Sequence, residues 1–106
     1  MISVEDVPEQ SRYELRVDGD LAGHIAYRSR GPHLALVHTE VGEAFGGRGL
    51  GSRLVAGALD QVRARGGSVL PDCPFVRTYI ARHSDYLDLV PADRRSDYGL
   101  PESGAS

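Results

Sequence analysis

The sequence predicts an α+β domain: an antiparallel meander joined through a βαβ unit to a short parallel strand, with two main helices. Three observations lead there. Residues 12–17, RYELRV, alternate strictly between polar and apolar and run into Asp18-Gly19-Asp20, a hairpin signal. After the glycines at 46, 47, 49 and 51 the apolar period lengthens from two to that of a helix. Gly66 and Gly67 then stop the helical pattern ahead of a short segment, SVL.

In chain order, the first strand places Tyr13, Leu15 and Val17 on one face and Arg12, Glu14 and Arg16 on the other. Leu21–Arg28 is the return strand, with Leu21, Ile25 and Tyr27 sharing a face. Gly23 lies on that face and either marks a bulge or is tolerated there. Ser29–Pro32 turns the chain into His33–Val41, the most apolar strand. Leu50, Leu54, Ala58 and Val62 recur at helical spacing, widened by Val55 and Leu59. Arg63 and Arg65 near the end suit the helix dipole. The strand at 68–70 closes at Pro71 and pairs in parallel with roughly 35–41, as a crossover helix requires. A second helix starts near Pro74, since proline fits the first helical position, and runs to about His83. Tyr86–Val90 forms a last short strand or coil. Residues 1–90 are expected as one domain. Residues 91–106, PADRRSDYGLPESGAS, are expected as a flexible tail.

A chain of 106 residues supports one domain with a modest core. The net charge of −3 disfavours a nucleic-acid partner. No apolar run approaches the ~20 residues that cross a membrane, and MISVEDVPEQ lacks the basic flank and apolar run of a secretory signal. A cytoplasmic monomer or weak homodimer is the expectation. Every cation is arginine, the side chain suited to forked contacts with phosphate. The single cysteine, Cys73, excludes an internal disulfide and a thiolate cluster. His24, His33 and His83 show no ligand spacing, so no metal is expected.

The glycine loop GGRGLGS sits between a strand and a helix. Glycines let a ligand approach the backbone, and the unsatisfied amides of a helix start receive phosphate. Arg48 and Arg53 lie in the first helical turns, where cations oppose the dipole and a bound polyanion would offset the cost. A mononucleotide P-loop needs a lysine, which this chain lacks. A dinucleotide loop follows the first strand of a longer fold, not a meander.

Three segments in this order, HTEV at His38–Val41, FGGRGLGSRLV at Phe45–Val55 and CPFVRTYIARHSDY at Cys73–Tyr86, resemble the GCN5-related N-acetyltransferases. The likeness covers roughly residues 10–90 and is nearest to the short, single-domain members of about a hundred residues. It implies a minimal acetyltransferase fold and transfer of an acetyl group from acetyl-CoA to a small-molecule or protein amine, most simply by direct attack. The alternative is a non-catalytic acyl-CoA-binding or interaction module. The superfamily's phosphate motif falls on Gly46, Gly49 and Gly51, with Gly46 replacing the usual long polar residue. The implied CoA contacts are Gly46, Gly47, Arg48, Gly49, Leu50, Gly51 and Ser52 for the pyrophosphate. Val41 and Cys73 would lie along the pantetheine arm, in the splay between the strands ending at Val41 and Leu70. Tyr79 would flank the cofactor, with Phe45 either doing the same or packing in the core, and Arg82 either reaches the cofactor's phosphates from the second helix or only covers exposed surface. The position of the usual acid tyrosine falls on Ile80, with Tyr79 beside it.

Three residues are candidates for the chemistry. His38 and Glu40 share a strand face, and either could serve as the base that an amine nucleophile needs. Cys73 either accepts the acetyl group or packs as a small apolar side chain.

Overall fold

The computed structural model describes residues 1–43 and 49–101. A 5-stranded sheet runs β1 (Ile2–Val7), β2 (Arg12–Val17), β3 (Asp20–Arg30), β4 (His33–Val41), β5 (Ser68–Leu70), with spatial order equal to chain order. The first three pairings are antiparallel and β4–β5 is parallel. Helix α1 (Leu50–Ala64) provides the crossover, and α2 (Pro74–Arg82) follows β5. Both helices contribute to one core with the sheet, in which Leu15, Ile25, Leu36, Leu54, Leu59, Val69, Val76 and Ile80 are buried. The fold class and most element positions agree with the sequence expectation.

Strand β1 is absent from that expectation. Its core-facing residues are Ile2, Val4 and Asp6, paired with Val17, Leu15 and Tyr13. Asp6 takes an apolar position because it has partners: the Tyr27 hydroxyl donates to its Oδ1 at 2.6 Å, and Arg65 lies 3.6 Å from Oδ2. The edge strand is then covered by α1. Gln61 donates to the Val4 carbonyl at 2.7 Å, which occupies an acceptor that could otherwise pair with another strand. Gly57 permits this approach, since a Cβ there would lie 2.6 Å from Val4 Cγ2.

Two register shifts alter the predicted faces. Leu15 pairs with Gly23 but Arg16 with Leu21, so Ala22 is the extra residue and turns into the core at 2% exposure while Leu21 is 44% exposed. Leu21 is therefore not a core residue. Gly23 is not the bulge; it allows close approach of β4, because a Cβ there would sit 2.5 Å from the Glu40 carbonyl oxygen. The second shift leaves Val37 unpaired between Leu36 and His38 on β4.

The parallel pairing joins His33, Leu34 and Ala35 to Ser68, Val69 and Leu70, not 35–41 as expected. Pro71 lacks the N–H that would extend the ladder. Among the described residues, β4 beyond Leu36 has a strand neighbour only on its β3 side.

The segment after β5 also departs from expectation. Ser84–Leu89 is a 3-10 helix, not a strand. The proposed tail is packed as far as Leu100: Ala92–Tyr98 is a second 3-10 helix, the Tyr98 hydroxyl donates to Asp72 Oδ1 at 2.6 Å, and Leu100 is buried in the core. Short 3-10 turns have no amphipathic period to reveal them in a sequence. Replacing Leu100 by alanine is expected to destabilise the fold by at least about 2 kcal/mol, read from the urea midpoint. A change below about 0.5 kcal/mol would mark this end of the chain as unnecessary to the core.

Candidate functional site

Of the residues singled out from the sequence, His38, Glu40 and Val41 lie at the end of β4, Gly49–Ser52 at the start of α1, and Cys73, Tyr79 and Arg82 at the cap of α2 or along it. Gly46, Gly47 and Arg48, with Phe45 before them, lie outside the described residues. Gly49 is the N-cap of α1 at φ 69°, ψ 15°, a left-handed conformation that glycine adopts without a steric penalty. The Gly49 cap provides no side-chain hydrogen bond and no acidic residue lies in the first turn. Among the described residues, no side chain accepts from the first-turn amides of Leu50, Gly51 and Ser52. Leu50, Leu54 and Val55 are buried and hold the helix start against the sheet. The Leu50 side chain is thus closed to a ligand.

Helix α2 crosses close to this point. A Cβ on Gly51 would lie 2.9 Å from Phe75 Cζ, so Gly51 serves helix packing as well as any ligand. Ser52, Phe75, Thr78, Tyr79, Arg82 and His83 line a cavity of about 100 Å³ between the two helices. Tyr79 stacks on His83 with ring centroids 4.0 Å apart. Burial first, then Asp85 and Asp60, push the Tyr79 phenol above its ordinary range. Ile80 is buried, so Tyr79 is the residue of this pair that lines the cavity.

Cys73 caps α2, and its amide donates to the Leu36 carbonyl at 2.7 Å. Its Sγ is 3.3 Å from Thr39 Oγ1 and the residue is 5% exposed. Thr39 points to the helix side of β4, a neighbour that the sequence reading did not select.

His38 and Glu40 do share a face, the one away from Thr39. His24 of β3 joins them, directly opposite Glu40. The Glu40 Oε2 atom lies 4.0 Å from His24 Nε2 and 3.9 Å from His38 Nε2. His24 was passed over because ligand spacing along the chain was the criterion; the strand pairing register is the signal that finds it. Leu21, Gly23, His24, Glu40, Val41 and Glu43 line an open cleft of about 300 Å³ here. The site is thus divided by β4, with the helix start and Cys73 on one side and the imidazole–carboxylate cluster on the other.

The family model described as GCN5-related N-acetyl-transferase matches residues 12–89. This chain belongs to the GCN5-related N-acetyltransferase family. The NMR solution structure of a GCN5-like candidate N-acetyltransferase from Staphylococcus aureus is similar in fold, with a TM-score of 0.63 at 18% identity over 84% of this chain and 87% of that one. No curated protein gives a significant match. The acetyltransferase fold is present here in a minimal form, and family membership supports acetyl-CoA-dependent transfer as the class of activity.

The left-handed start of α1 can be probed directly. Among the described residues, no atom outside its chain neighbours lies within 4 Å of a Cβ built at Gly49, so Gly49→Ala is expected to meet the backbone penalty of about 1 kcal/mol. A chemical-denaturation midpoint unchanged or raised would show that the left-handed cap is not required.

Proposed function

We propose that this acetyltransferase-family protein binds acetyl-CoA across the start of α1 and transfers the acetyl group to an amine by direct attack. The observation that carries the reading is the uncapped first turn of α1, entered through the left-handed Gly49 and set beside the open edge of β4. The chemistry of this surface fits a pyrophosphate: amides without a side-chain acceptor among the described residues, a glycine approach and an arginine, Arg82, on the adjoining cavity wall. The amides from Gly49 to Ser52 would hold it, with Arg82 as the nearby cation; the sequence-predicted contacts at Gly46, Gly47 and Arg48 lie outside the described residues. The β4 edge ending at Val41 would hold the pantetheine arm, with Cys73 and Tyr79 flanking it.

The donor supplies an activated thioester, and the chain's task is to orient it and to manage one proton. Glu40 or His38 is the group from which a base is drawn, since both face the open side of β4. Cys73 favours a packing role: it is nearly closed to solvent, touches Thr39 and belongs to the core cluster. A second reading, a non-catalytic acyl-CoA-binding module, is favoured by one observation. Ile80 occupies the place of the usual acid tyrosine and is turned into the core.

Ser52→Asp tests the placement with two opposed signs. Ser52 is exposed in the first turn of α1. A carboxylate there complements the helix dipole and should stabilise the free protein by roughly 0.3–1 kcal/mol. The same carboxylate repels a polyanion, so CoA affinity by calorimetric titration should fall about tenfold or more. Undiminished CoA affinity in a stabilised variant would remove the pyrophosphate from this helix start.

A further inference from the structure

The cleft at the end of the β3–β4 pair meets the proposed donor surface at Val41 and otherwise lies apart from it. Its chemistry is mixed. Leu21 and Val41 offer apolar surface, Glu40 and Glu43 offer carboxylates, and His24 offers an imidazole. Such a lining suits a primary ammonium on a short aliphatic stem: the carboxylates attract the cation and the apolar wall receives the carbons. The position of His24 is tightly set. Gly23 beside it lets β3 approach β4, where any Cβ would come within 2.5 Å of the Glu40 carbonyl oxygen. The His24 side chain is 22% exposed, against 64% for His38 and 65% for Glu40. It is the most buried of the three, and Glu40, which also lines the cleft, stands directly opposite it on β4.

We propose that this cleft receives the acceptor amine and that His24, with Glu40 beside it, takes the amine's proton. The inference rests on the acetyl-transfer reading, adds His24 to the two groups from which that reading draws its base, and names a substrate class. The balance is simple. The ammonium gives one proton to the His24 imidazole and becomes a neutral amine. Its nitrogen forms the C–N bond to the thioester carbonyl carbon as the C–S bond breaks. The departing thiolate takes the second proton lost by that nitrogen, leaving an amide and a free thiol. His24 returns its proton to water past the exposed Glu40 and His38.

The charges around His24 are consistent with this task. Arg12 and Glu14 face it from β2, and Glu40 and His38 from β4. Burial first, then Arg12, hold its imidazole below the ordinary histidine range, with Glu40 opposing. Arg12 is itself engaged: its Nη2 donates to Glu14 Oε2 at 2.6 Å, and Arg16 holds the other oxygen at 2.9 Å. The neutral base therefore predominates above the lowered His24 pKa, and transfer should fall as pH drops through it.

The experiment uses n-butylamine as the probe and His24→Gln as the variant, with CoA titration run in parallel. Wild type should acetylate butylamine with a rate that falls on the acid side. The variant should lose about 100-fold at neutral pH together with that acid inflection, while CoA affinity stays within a factor of two. A variant whose pH profile matches wild type overturns the proposal, as does a wild type that binds CoA but acetylates no butylamine. Absence of CoA binding would instead sink the underlying acetyl-transfer reading, and this proposal with it. Should the variant fold poorly, NMR of the wild type decides. Butylamine should shift the His24 ring and Glu43 amide signals, and shifts confined to other surfaces overturn the assignment.

Discussion

Pro71 has no amide hydrogen, and the divergence of β4 from β5 begins there. The parallel ladder ends at Ala35 and Leu70. The Asp72 amide then turns back to the Leu70 carbonyl at 2.9 Å, and Cys73 donates to Leu36 at 2.7 Å. That last bond pins the start of α2 to β4, and among the described residues the rest of β4 has no strand neighbour on that edge. A longer ladder would bury the edge on which the pantetheine arm is proposed to lie. It would also move α2 away from α1 and open the contact between Gly51 and Phe75.

The extra residue at Val37 completes the arrangement. It resets the alternation of β4, so that Thr39 faces the helices and Cys73 while His38 and Glu40 face the open side. The groups proposed to bind the donor and those proposed to handle the proton then lie on opposite sides of one strand. Water reaches the open side freely, which suits groups that must exchange protons. The helix side is lined by buried apolar residues, which suits groups that must only hold position.

Much of this was legible in the sequence, and the exceptions have physical causes. Strict alternation gave β2, and the helical stripe from Leu50 to Val62 gave α1, because each buries one uniform apolar face. Strand β1 escaped notice because Asp6 interrupts its inner face, and only the fold supplies Tyr27 and Arg65 as partners. The packed end of the chain was hidden in polar composition, since Tyr98 and Leu100 anchor it through single contacts without a period. Bulges are invisible to pattern reading, and one of them exchanged the roles of Leu21 and Ala22. For the site, the strand face shared by His38 and Glu40 could be read directly. His24 could not, because the register that sets it opposite Glu40 depends on the bulge at Val37.

The central claim is that the helix start and the open edge of β4 together form the CoA surface. Backbone amide NMR of the protein titrated with CoA tests it most directly. The account predicts the largest shifts at Gly49, Leu50, Gly51 and Ser52, continuing along Thr39–Val41. Binding that instead shifts only the outer face of β1 and β2, or leaves the first turn of α1 unmoved, would contradict it.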